Sequence, residues 1–174
     1  MRNLRFVGLF FICLFCACSD DELASLDTRI ELDQSSEFYI LPCNNFVQFD
    51  PVSDSFLKLL ISSGVDIDGD GKISCTEAEK VPEIDLNNAS GTVSTLKGIE
   101  SFVNLEKVYG KVNITSEFLN LYNNINLREI DFTGSFDGKT RIGRLVLPQG
   151  QKLEVLRIFE NVANKLENIE SQTR

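Results

Sequence analysis

Apolar positions change rhythm four times along this chain. Phe6 to Phe15 (FVGLFFICLF) is an apolar run of ten residues behind Arg2 and Arg5. Residues 19–37 are then polar and acidic. Phe38–Leu41 and Phe46–Phe49 read as short strand-like runs, broken by Pro42 and by Asn44-Asn45. Phe56, Leu59 and Leu60 fall at i, i+3 and i+4, with Leu57 and Ile61 beside them, so a helix is expected after Pro51 and Ser53. Gly64 should end it. A second, short helix over Thr76 to Lys80 is expected to stop at Pro82.

Beyond residue 81 the pattern becomes a series of short apolar cores. They are Leu105/Val108, Leu127/Ile130/Phe132, Ile142/Leu145/Leu147 and Leu153/Leu156/Ile158, the last followed by Asn161, with Ile84-Asp85-Leu86-Asn87 as a plausible first strand. The step from Ile84 to Val108 is 108 − 84 = 24 residues, and from Val108 to Ile130 it is 130 − 108 = 22. Both fall within the 20–29 residues of leucine-rich repeats, in which stacked short strands complete one another's core. The next steps, 15 to Leu145 and 11 more to Leu156, are irregular. An ordinary α/β or all-β domain with coincidental spacing is the alternative. In a repeat array, Leu105, Val108, Leu127, Ile130, Phe132, Leu145, Leu147, Leu156 and Ile158 turn inward. Glu106, Lys107, Tyr109, Arg128, Glu129, Asp131, Arg144, Val146, Glu154 and Arg157 face outward.

The two expected helices flank Asp66 to Glu77, DIDGDGKISCTE. This stretch matches the calcium loop D-x-D-x-D-G-x-I-x-x-x-E of an EF-hand. Calcium takes six to eight oxygens. Asp66, Asp68 and Asp70 supply carboxylates at loop positions one, three and five, and Glu77 closes the site from position twelve. Lys72 contributes its backbone carbonyl, and Ser74 acts directly or through a water. Gly71 takes the sharp turn, and Ile73 anchors the loop to the core. The competing reading is an acidic Asp-Gly turn on a solvated surface. No second such loop occurs, since Phe136 stands where the stretch from Asp131 needs glycine. Sensor EF-hands open a groove on binding, so a lone, truncated hand reads as a structural clip.

The apolar run is too short to span a bilayer and suits a secretory signal over residues 1–17. Ala17 precedes Cys18 at its end, which resembles a bacterial lipobox and makes Cys18 the candidate lipidated residue. The acidic run Asp20-Asp21-Glu22 resembles the surface-export tag of Bacteroides-like lipoproteins. Residues 18–37 then form a flexible acidic tether. Loss of Arg2 and Arg5 takes the formal charge from −9 to −9 − 2 = −11. That balance argues against nucleic acid. The chain has 174 residues and no His, which excludes Ser-His-Asp and Cys-His centres. The acid pairs Asp131/Asp137 and Glu154/Glu160 could be read as a glycosidase dyad, but solvated surface acids explain them better. Cys43 and Cys75 are the other cysteines of the mature chain, and form either a disulfide or two separate buried thiols.

The order of signal, tether, calcium loop and LKGIESFVNLEKV (Leu96 to Val108) resembles bacterial surface lipoproteins with internalin-like leucine-rich repeats. The resemblance implies calcium binding and protein interaction or adhesion, with no catalysis. The expected fold is α/β, with an EF-hand-like cap over residues 38–82. A short, irregular leucine-rich-repeat solenoid of parallel strands follows over 83–174. The expected partners are a membrane, through the lipid on Cys18, and a protein or glycan ligand. The expected place is the outer membrane or cell surface, with a periplasm-facing position also open. Glycan capture, dockerin-like docking and, further off, glycan hydrolysis are the alternatives.

Overall fold

The computed structural model describes residues 36–41, 43–91, 93–112, 114–133, 141–158 and 163–167. The expected signal segment, Cys18, most of the tether, Asp137, Glu160 and Asn161 lie outside these residues. Within them the fold is mixed α/β, with parallel sheets and few helices.

Helix α1 (Ser55–Ser62) buries Phe56, Leu59 and Leu60, the face set by their spacing. Gly64, at φ 77°, turns the chain out of the helix: its N–H and that of Val65 donate to the carbonyls of Ile61 and Leu60. Helix α2 (Cys75–Ala78) is a single turn; against the expected Thr76–Lys80 it begins one residue earlier and ends two residues earlier. Neither Phe38–Leu41 nor Phe46–Phe49 forms a strand. Asn45 adopts φ 68°, and the backbone beside it makes only isolated bridges, Asn44 with Phe46 and Phe46 with Ser74.

Among the described residues seven strands follow: β1 (Glu83–Asp85), β2 (Lys107–Tyr109), β3 (Thr115–Asn120), β4 (Glu129–Asp131), β5 (Arg141–Val146), β6 (Val155–Arg157) and β7 (Ala163–Glu167). They form two parallel sheets, ordered β1-β2-β4-β6 and β3-β5-β7. From β2 onward the chain alternates between the sheets. That alternation accounts for the irregular spacing. In the first sheet Ile84, Val108, Ile130 and Leu156 stand in register, and the last step is 156 − 130 = 26 residues. Leu145 belongs to the second sheet, in register with Leu119 and Leu166, at steps of 145 − 119 = 26 and 166 − 145 = 21.

Ile84, Val108 and Ile130 share one buried cluster with Leu119 and Leu145, and with Phe56, Leu59, Leu60, Ile73 and Ala78 of the helical segment. The amide nitrogens of two buried asparagines, Asn120 and Asn124, are matched to backbone carbonyls. Asn124, fully buried, donates its Nδ2 to the carbonyls of Ile99 and Phe102 at 2.9 Å each. Three expected positions differ. Val146 is buried and does not face outward. It stands in register with Asn120, whose Nδ2 donates to the Phe38 carbonyl, so residues 36–41 lie against that face. Leu156 and Ile158 are only half-buried, since β6 ends its sheet and no described strand pairs beyond it.

Candidate metal centre

The loop between α1 and α2 is shaped by its own carboxylates. Asp66 accepts the N–H groups of Gly69 at 2.9 Å and Gly71 at 3.0 Å. Asp68 accepts the Asp70 N–H at 3.1 Å, and Asp70 accepts the Lys72 N–H at 2.8 Å. Such Asx turns give a short acidic segment a fixed backbone. Gly69 and Gly71 sit at φ 75° and 79° with open space where a Cβ would be. Their backbone angles, not crowding, call for glycine there. The result places carboxylate oxygens of Asp66, Asp68 and Asp70 within 4.8 Å of one another.

Glu77 stands apart from that cluster and is buried. Its Oε1 accepts the Ile67 N–H at 2.7 Å, and its Oε2 accepts the Ser74 N–H at 2.8 Å and the Ser74 hydroxyl at 2.7 Å. Ser74 Oγ in turn accepts the Glu77 N–H, so the two residues form a capping box that starts α2. The Ser74 N–H, the Ser74 hydroxyl and the Ile67 N–H, in that order, hold the Glu77 carboxyl down to about 2. Lys72 Nζ lies 4.9 Å from the centre of the Phe46 ring, and Ile73 is fully buried beneath the loop.

The donor set suits a hard cation. Three clustered carboxylates and loop carbonyls are oxygen ligands of the kind calcium and magnesium take. Softer metals prefer imidazole or thiolate; the chain has no His, and the nearby Cys75 is joined to Cys43 in a disulfide with Cα atoms 5.7 Å apart. Of the expected ligands, the structure brings Asp66, Asp68 and Asp70 together. Glu77 and Ser74 are engaged with each other at the loop's exit.

Sequence reasoning missed what holds the loop from outside. Val47 N–H donates to the Ile73 carbonyl at 2.9 Å, and Cys75 N–H donates to the Asn45 carbonyl at 3.0 Å. Residues 45–47 therefore run antiparallel to 73–75. The Cys43/Cys75 pair was the one sequence signal that joined these segments.

A second polar surface lies on the first sheet, a shallow cavity of about 420 Å³ lined by residues including Glu83, Lys107, Tyr109, Glu129 and Asp131. Tyr109 donates its hydroxyl to Glu83 Oε1 at 2.5 Å, which pushes its ionisation up to about 12. Arg157 bridges Glu129 at 3.3 Å and Asp131 at 3.0 Å. Burial pulls the Asp131 carboxyl upward, but the Thr133 hydroxyl and N–H together with Arg157 outweigh it, and the net direction is down. Glu154 pairs with Arg128 at 3.1 Å. These acids are tied into cross-strand pairs. Compared with protein-family models, curated proteins and solved structures, the chain has no match.

Proposed function

We propose that this protein is a calcium-binding, lipid-anchored surface protein that acts as an interaction or adhesion module and catalyses nothing. The observation that carries the calcium reading is the trio Asp66, Asp68 and Asp70. Their carboxylates converge within 4.8 Å on a loop whose turns those same side chains make. In this reading the three carboxylates and the Lys72 carbonyl hold the ion, Ser74 assists, and Glu77 supplies the remaining oxygens. The helices and loop act as an EF-hand-like cap on a short leucine-rich-repeat solenoid. Register steps of 21 to 26 residues in two parallel ladders support the repeat reading. The outer face of the first sheet, with its rows of exposed and half-exposed charged side chains and Tyr109, suits a broad protein contact.

Calcium should stabilise the fold by mass action. For an extracellular module the dissociation constant is expected at about 10⁻⁴–10⁻³ M. At tenfold that concentration the gain is about 1.4 kcal/mol. For a chain of this size that raises the melting temperature by about 3–5 °C over the value in chelator. Asp68→Asn with Asp70→Asn keeps a carbonyl oxygen for each turn and should abolish the gain. An unchanged melting temperature at about 5 mM calcium, well above the expected dissociation constant, removes the calcium reading.

A further inference from the structure

We propose that the Cys43–Cys75 disulfide and the strap it anchors, residues 45–47, pre-order the calcium loop, so that calcium affinity and the redox state of this disulfide are coupled. The inference rests on the calcium reading of Asp66, Asp68 and Asp70.

The geometry is specific to this loop. Cys75 follows Ser74 directly, and the crosslink closes a ring, 32 residues apart in sequence, that contains Asp66, Asp68, Asp70, Lys72 and Ser74. The strap meets the loop where it leaves the carboxylate cluster. Val47 N–H holds the Ile73 carbonyl, Cys75 N–H holds the Asn45 carbonyl, and Phe46 bridges Ser74 between them. The Phe46 ring also receives Lys72, so four consecutive loop residues, 72–75, are gripped by 45–47. Val47 of the strap packs at Gly98, and just past it Phe49 packs edge-on to Phe56 with ring centres 5.8 Å apart, which ties the grip to the core. A loop held this way loses less conformational freedom when it closes on an ion, and preorganisation of that kind appears as affinity. With the disulfide open, the strap's hold on the loop is left with two backbone hydrogen bonds and a ring contact.

Coupling of two equilibria is reciprocal. If the disulfide tightens calcium, calcium must stabilise the disulfide by the same factor. Reduction by a dithiol delivers two electrons and two protons to the Sγ atoms of Cys43 and Cys75, and the reagent leaves as its own disulfide.

Two measurements on the purified protein test this. Isothermal titration with calcium chloride compares the oxidised protein with Cys43→Ser/Cys75→Ser, and about tenfold weaker binding is expected in the variant. The second needs no crosslink variant. The unmutated protein is equilibrated in dithiol redox buffers with saturating calcium or with chelator, and the Cys43 and Cys75 peptides are read by mass spectrometry. Calcium should lower the reduction equilibrium constant by about tenfold, a shift of about 30 mV. In Asp68→Asn with Asp70→Asn the shift should vanish. Calcium binding without any shift in that equilibrium overturns the strap and leaves the calcium loop standing. A shift that survives in the Asn variant overturns the strap as well. No calcium uptake by the oxidised protein overturns both readings.

Discussion

Glu77 shows how the backbone of a short loop can hold one side chain in its charged form. Its two oxygens accept from Ile67 and Ser74, and these donors lower its carboxyl from the ordinary 4.5 to about 2. A folded value below the unfolded one means that the contribution is complete above about pH 4.5. It is lost as the pH falls toward about 2. In chelator, the melting temperature of the unmutated protein should therefore fall across that window more steeply than that of Glu77→Gln. Parallel slopes for the two proteins would show that Glu77 is not held in its charged form by the loop.

At the scale of elements, short strands of three residues supply few hydrogen bonds each, so the fit between successive layers must do more. Gly110 follows β2 at φ 114°, where a Cβ would stand 2.8 Å from Asn87 Nδ2 and 2.9 Å from the Asn87 backbone nitrogen. Asn87 follows β1, and its own N–H and amide are bound to Asp85. Gly110→Ala combines a disfavoured backbone angle with a backbone clash, and should cost about 1–3 kcal/mol in urea unfolding. A change within about 0.5 kcal/mol, the usual size for a surface substitution, would mean that the layers slide apart easily. The crosslink works at the same scale. For a ring of this length the chain-entropy model assigns about 3–4 kcal/mol, mostly by restricting the unfolded chain.

For the whole molecule, one continuous core joins the loop-bearing helices to both sheets, because Ile73 and Ala78 are buried in the same cluster as Val108 and Leu145. The calcium binding proposed for the loop should therefore appear as a shift of one cooperative transition. The proposed lipid anchor also belongs to this scale. It follows from Ala17-Cys18 at the end of the apolar run, and predicts that the mature chain begins at a diacylglyceryl-modified Cys18. Mass spectrometry of the N-terminal peptide checks it, and a mature terminus at any other residue sinks it.

The turns of the acidic loop could be read directly from twelve contiguous residues, since each Asp accepts N–H groups two to five positions ahead. Helix α1 was equally legible, because its buried stripe of Phe56, Leu59 and Leu60 is a property of local periodicity. The parallel ladder Ile84-Val108-Ile130 was visible for the same reason, as a repeated apolar position at repeat spacing. What the sequence could not decide was partnership. A short apolar run says that a strand needs a neighbour, not which of two sheets provides it, so Leu145 read as an irregular repeat until its register with Leu119 separated the ladders. The burial of Val146 and the grip of residues 45–47 on 73–75 depend on segments distant along the chain meeting in space. Those contacts have no period and no local signature, and only the tertiary structure settles them.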